Sequence, residues 1–80
     1  MNNLEKYTSC FIDGLSAEQD HVNDKLEYNS ISEWDSIGHM SLISALEENF
    51  NIQIETDDVI DFSSFVKGKE ILLKYGVKID

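Results

Sequence analysis

The sequence predicts a small all-α bundle of three main helices and one short helix, with a long first loop. Three observations predict it. Apolar residues recur at three- and four-residue steps in segments near residues 4–15, 36–50 and 65–75. Asp, Thr and Ser stand where helical segments open, and Gly or Asn where they close. The 80 residues contain no proline, internal repeat or linker-like tract, so residues 1–80 are read as one domain. A domain of this length buries only about 60% of its unfolded surface, so its core must be compact.

Leu4, Tyr7, Phe11, Ile12 and Leu15 define the first amphipathic helix, over roughly Leu4–Asp13, with Gly14 placed to stop it. The connection from Leu15 to Asp35 is long for a compact domain, and such segments are commonly anchored by their own side chains. Val22, Leu26, Tyr28, Ile31 and Trp34 are the expected anchors, with Tyr28 and Trp34 packing while a polar tip reaches the surface. Ser16-Ala17-Glu18-Gln19 has capping-box spacing and predicts a short helical turn.

The second helix is expected over Ser36 to Phe50. Leu42, Leu46 and Phe50 form one i, i+4 line with Ile43 beside it, so this face enters the core, while Ile37 and Met40 lie toward the rim. Asp35-Ser36 gives it a capped start, with negative charge at the positive end of the helix dipole. Asn51-Ile52-Gln53-Ile54 reads as a short extended loop. Thr56, as a cap, with Asp57 and Asp58 opens a short helix through Asp61 or Phe62. Ser63 or Ser64 caps the last helix, which carries Phe65, Val66, Ile71, Leu72 and Tyr75 and ends at Gly76.

Charge narrows the function classes. Sixteen acids against six lysines give a formal net charge of −10. Between Lys25 and Lys67 there is no basic residue, yet nine acids fall there: Glu27, Glu33, Asp35, Glu47, Glu48, Glu55, Asp57, Asp58 and Asp61. Such a surface repels nucleic acid and anionic lipid and attracts partners with basic patches. No apolar run approaches the roughly 20 residues that span a bilayer, and Met1 to Lys6 lack the pattern of a signal peptide. A single cysteine, Cys10, within the apolar run Cys10-Phe11-Ile12, is read as a small core residue in a reduced, cytoplasmic protein. Cys10, His21 and His39 are too few and too badly spaced for zinc. An enzyme built on Asp35, Ser36 and His39 is disfavoured, because one turn of helix offers neither a cleft nor evident oxyanion donors. His39 is read as a rim or solvent residue and His21 as a loop residue.

The run Trp34-Asp35-Ser36-Ile37-Gly38-His39-Met40, with Leu42-Ile43, Ala45-Leu46-Glu47-Glu48, Phe50, Ile52 and Ile54, resembles the acyl carrier protein family. The family's signature is Asp-Ser-Leu at the start of the second helix, and Ile37 replaces the leucine here. Leu26, Ile31 and Trp34 match its loop anchors and Thr56-Asp57-Asp58 its short helix, so the resemblance covers nearly the whole chain. Gly38 and Ser41 stand where many members have acids, and Glu55 where a proline is common. The motif is most similar to free-standing carriers of specialised pathways.

The resemblance implies a monomeric, non-catalytic carrier whose Ser36 holds a phosphopantetheine arm taken from coenzyme A, with acyl groups carried as thioesters on that arm and not on Cys10. It implies that Asp35 engages the phosphopantetheinyl transferase and that Gly38 leaves space beside the arm. Ile37, Met40, Glu47, Glu48 and Asp58 would form the face that meets acyl-loading and acyl-accepting enzymes. The rival expectation is an acidic helical adaptor that binds a basic partner, with Ser36 only a helix cap.

Overall fold

The computed structural model describes residues 2–79 and is all-helical. Helix α1 spans Asn3–Leu15, α2 Ser36–Phe50, α3 Thr56–Asp61 and α4 Phe65–Leu73, with a 3-10 turn at Gln19–His21 in the long first loop. The predicted bundle of three main helices and one short helix is therefore present, and α2 has its predicted bounds. No helix among the described residues is long and apolar enough to cross a membrane.

The first helix runs past its predicted stop. Asn2 caps its start through a bond from the Glu5 amide, and the left-handed residue at its end is Ser16, with φ 56°. Ser16 therefore ends α1 and does not open a capping box, and the 3-10 turn has no side-chain cap. Gly14 lies inside the helix for a packing reason. A Cβ there would stand 2.8 Å from the Leu42 Cα, so the missing side chain lets α1 and α2 cross with backbones nearly touching.

The core is aromatic at its centre. Phe11 lies among the rings of Tyr7, Trp34, Phe62 and Phe65, at centroid distances of 4.9, 5.5, 6.2 and 5.0 Å. The edge-on geometry to Tyr7 and Trp34 is the favoured one for aromatic quadrupoles. Leu42, Ile43 and Leu46 close this core from α2, with Phe50 half-buried below them. The Tyr7 hydroxyl donates to the Phe65 carbonyl at 2.7 Å, so α1 is pinned to the first residue of α4. Burial pushes the Tyr7 phenol well above its ordinary pKa. Cys10 is buried as expected, its thiol pushed up to about 11 chiefly by burial and then by Asp13.

The loop anchors divide. Leu26 and Trp34 are buried, Val22 and Ile31 half-buried, and Tyr28 stays at the surface. Trp34 has no exposed tip; its indole N–H is satisfied inside. A bridge between Glu27 and Ser64 clips the loop to the start of α4, with Tyr28 N–H donating to Ser63 O at 2.9 Å and Phe65 N–H to Leu26 O at 2.9 Å.

At the other end, Glu55, not Thr56, holds the cap position of α3 and makes no side-chain cap bond. Ser64 caps α4 through the Lys67 amide at 2.9 Å. That helix stops at Leu73, and Gly76, with φ 81°, closes the turn beyond it.

Candidate functional site

The start of α2 is built so that Ser36 faces solvent. Asp35, in extended conformation, caps the helix: its carboxylate accepts from the Gly38 amide at 2.8 Å, and its carbonyl accepts from His39 N–H at 2.7 Å. Ser36 is thereby fixed as the first helical residue with its side chain exposed. Its Oγ lies 3.2 Å from the Tyr28 hydroxyl. Gly38 does not open space beside Ser36, as the sequence suggested. A Cβ there would collide with the Glu33 carbonyl oxygen, so Gly38 lets the end of the loop lie directly on the helix.

His39 is half-buried, and both of its ring nitrogens are engaged. It stacks on Trp34 at 6.1 Å, and its Nδ1 accepts from the indole Nε1–H at 2.9 Å. Its Nε2 lies 2.8 Å from the Val59 carbonyl. An indole nitrogen only donates and a carbonyl only accepts, so both contacts are met by the neutral imidazole with its proton on Nε2. His39 thus joins the first loop, α2 and α3. The sequence carried a faint signal of this, an imidazole five residues after a tryptophan that needed a buried acceptor.

Between α2 and α3 runs an open groove of about 340 Å³, lined by Tyr28, Ser36, His39, Met40, Val59, Ile60, Phe62 and Ser63. Its lining is mostly apolar, and Ser36 lies in its wall. Two of its lining residues are exposed apolar side chains, Ile60 at 73% and Met40 at 55%, and Ile37, next to Ser36 in the chain, is exposed at 83%. Ile37 and Met40 were expected toward the rim of the α2 core face; Ile60 was not singled out from sequence.

The expected acids separate into open and engaged. Glu48 is exposed on α2. The Glu47 carboxylate accepts from the Ile54 amide at 2.9 Å and fastens the α2–α3 loop to α2. Asp58 is largely buried and receives hydrogen bonds from the Lys74 ammonium and the Tyr75 hydroxyl. Those bonds, Lys74 first, hold its carboxyl below the usual range, and the same contact with Asp58 raises Lys74. Asp58 was expected on a recognition face; its carboxylate is instead turned to Lys74 and Tyr75 just past α4, and Glu47 and Asp58 both have internal structural work.

The arrangement is one exposed hydroxyl on a rigid helix start, a polar neighbour above it, and an apolar groove beside it. The chain matches no protein-family model, no curated protein and no solved structure.

Proposed function

We propose that the chain is an acyl carrier protein in which Ser36 bears a phosphopantetheine arm. The observation that carries this reading is the Ser36 hydroxyl: exposed, fixed at the first residue of α2, and set in the wall of an apolar groove. The Asp35-Ser36 motif and the acidic surface support it from the sequence side. The residues fit the group. A hydroxyl at a helix start can lose its proton and bond to phosphorus as the nucleotide part of coenzyme A departs, and the amides of the first turn favour the resulting phosphodiester. When bound, the arm supplies a terminal thiol that holds an acyl group as a thioester.

The other residues have supporting parts. Asp35 caps α2 and so fixes the direction in which Ser36 points. It is also the acid beside the attachment point that a phosphopantetheinyl transferase would engage. Ile37, Met40 and Glu48 are open and form the core of the recognition face for that transferase and for acyl-loading and acyl-accepting enzymes. Exposed acids chiefly raise association rates with basic partners. Glu47 and Asp58 serve that face indirectly, by holding the α2–α3 loop and α3 in place. On this reading the protein is a substrate for other enzymes and catalyses nothing itself. An acidic adaptor using Ile37, Met40 and Ile60 as an apolar contact would need no chemistry at Ser36.

Incubation with coenzyme A and a broad-specificity phosphopantetheinyl transferase, followed by intact-mass measurement, separates the two. The wild type is expected to gain the mass of one arm and Ser36→Ala none. Ser36→Ala should keep its helical circular dichroism, because Asp35 supplies the cap bond. No gain by the wild type, or a gain by Ser36→Ala, would overturn the assignment.

A further inference from the structure

Tyr28 is the expected loop anchor that does not go inside, and its position has a use. Its backbone is tied to Ser63, and the next residue, Asn29, turns through φ 68° and donates its N–H to the Trp34 carbonyl at 3.0 Å. Its ring stands edge-on to His39 at 5.6 Å and to Trp34 at 6.2 Å. The hydroxyl is thereby held over the start of α2, 3.2 Å from Ser36 Oγ. That separation is long for two hydroxyls, which usually sit about 2.7–2.8 Å apart.

We infer that Tyr28 is a phosphate ligand in the modified protein: its hydroxyl donates to the phosphodiester on Ser36 and directs the root of the arm along the groove. The inference rests on the carrier reading and adds a residue to it.

Either hydroxyl can donate across this contact, and a phenol, a better hydrogen-bond acid than an alcohol, favours Tyr28 as the donor to Ser36 Oγ. Ser36 loses its own hydrogen on esterification but keeps an acceptor oxygen, so a donor facing it is retained. With phosphate oxygens in reach, the bond also becomes charge-assisted and shorter, about twice as strong as a neutral one. The present slack leaves room for that change. Beyond the amides of the first turn of α2, other donors along the groove are few. No lysine lines it, and His39 has its one N–H directed at the Val59 carbonyl. Ser63, the remaining hydroxyl in the lining, is the competing candidate.

Phosphorus NMR of the loaded protein tests this, after intact mass has confirmed one arm per chain. In the wild type, the 31P resonance is expected to be displaced from that of the same phosphodiester on an unfolded Ser36 peptide. Tyr28→Phe should move it back toward the peptide value, and loading should shift the Tyr28 ring carbon bearing the hydroxyl. The Phe variant keeps the ring against Trp34 and His39, and circular dichroism checks that it is folded. Equal 31P shifts in the wild type and Tyr28→Phe would overturn the inference while leaving the carrier reading intact. So would a displacement lost in Ser63→Ala and kept in Tyr28→Phe. A wild type that gains no arm removes the carrier reading, and this inference with it.

Discussion

Helices α3 and α4 follow one another in the chain and are held by opposite means. Helix α4 buries Phe65, Gly68, Ile71 and Leu72 against the aromatic centre. Helix α3 has six residues, of which only Asp58, a charged side chain, is buried. Ile54 and Phe62 anchor its two flanks and Val59 packs half-buried on the core, but the remaining contacts of α3 are polar: Lys74 and Tyr75 on Asp58, His39 on the Val59 carbonyl, and Glu47 on the Ile54 amide just before it. A net hydrogen bond contributes about 1 kcal/mol, whereas a fully buried large apolar side chain contributes about 1.5–3. The two helices should therefore differ in how easily they open, and the easier one forms the far wall of the groove beside Ser36.

Perturbing each side in turn sharpens the contrast. The largest effect belongs to the centre. Phe11→Ala removes the ring around which α1, α4 and Trp34 pack and should cost about 3–5 kcal/mol by urea titration. For a small domain this approaches the whole stability, so the variant should be largely unfolded or nearly so at room temperature.

His39→Ala acts across the divide. It frees α3 from α2 and leaves the buried Trp34 N–H without its acceptor, a loss of about 1–3 kcal/mol. Hydrogen exchange should quicken in α3 more than in α4. An equal increase in both would mean that the imidazole supports the core as a whole.

The acid limb of stability gives the smallest effect. Asp58 has a depressed carboxyl pKa in the folded protein, so its contribution is complete above the ordinary value of about 3.9. It is lost as pH falls through the lower folded value. Lys74, raised by the same bond, contributes below its unfolded value and loses that contribution as pH rises through the folded one. Asp58→Asn should flatten the decline of melting temperature below about pH 4 and leave the slope between pH 5 and 8 unchanged.

What the sequence made legible follows from periodicity and local capping. The line of Leu42, Leu46 and Phe50 and the cap at Asp35 fixed α2 to the residue, because both signals are carried by residues within the helix or next to it. The exposed Ile37 and Met40 followed from the same pattern. What was hidden depends on partners far along the chain. His39 looks like a solvent residue until Trp34 and Val59 are brought to its two nitrogens. Asp58 looks like one more surface acid until Lys74 and Tyr75 fold back over it. Gly14 reads as a stop signal because the α2 backbone that needs its missing side chain comes 28 positions later, at Leu42. The bridge from Glu27 to Ser64, which sets Tyr28 over Ser36, leaves no mark in local composition.

The groove beside Ser36 has one wall able to open without the core. Native-state hydrogen exchange on the unmodified protein at increasing urea tests it most directly. The amides of residues 59–61 in α3 are expected to exchange through a local opening that costs several kcal/mol less than global unfolding and depends little on urea. Those of Phe11 in α1, Leu46 in α2 and Leu72 in α4 should exchange only with global unfolding and share its urea dependence. If the α3 amides follow the same steep urea dependence as Phe11, α3 opens only with the core, and the division drawn between the two helices is wrong.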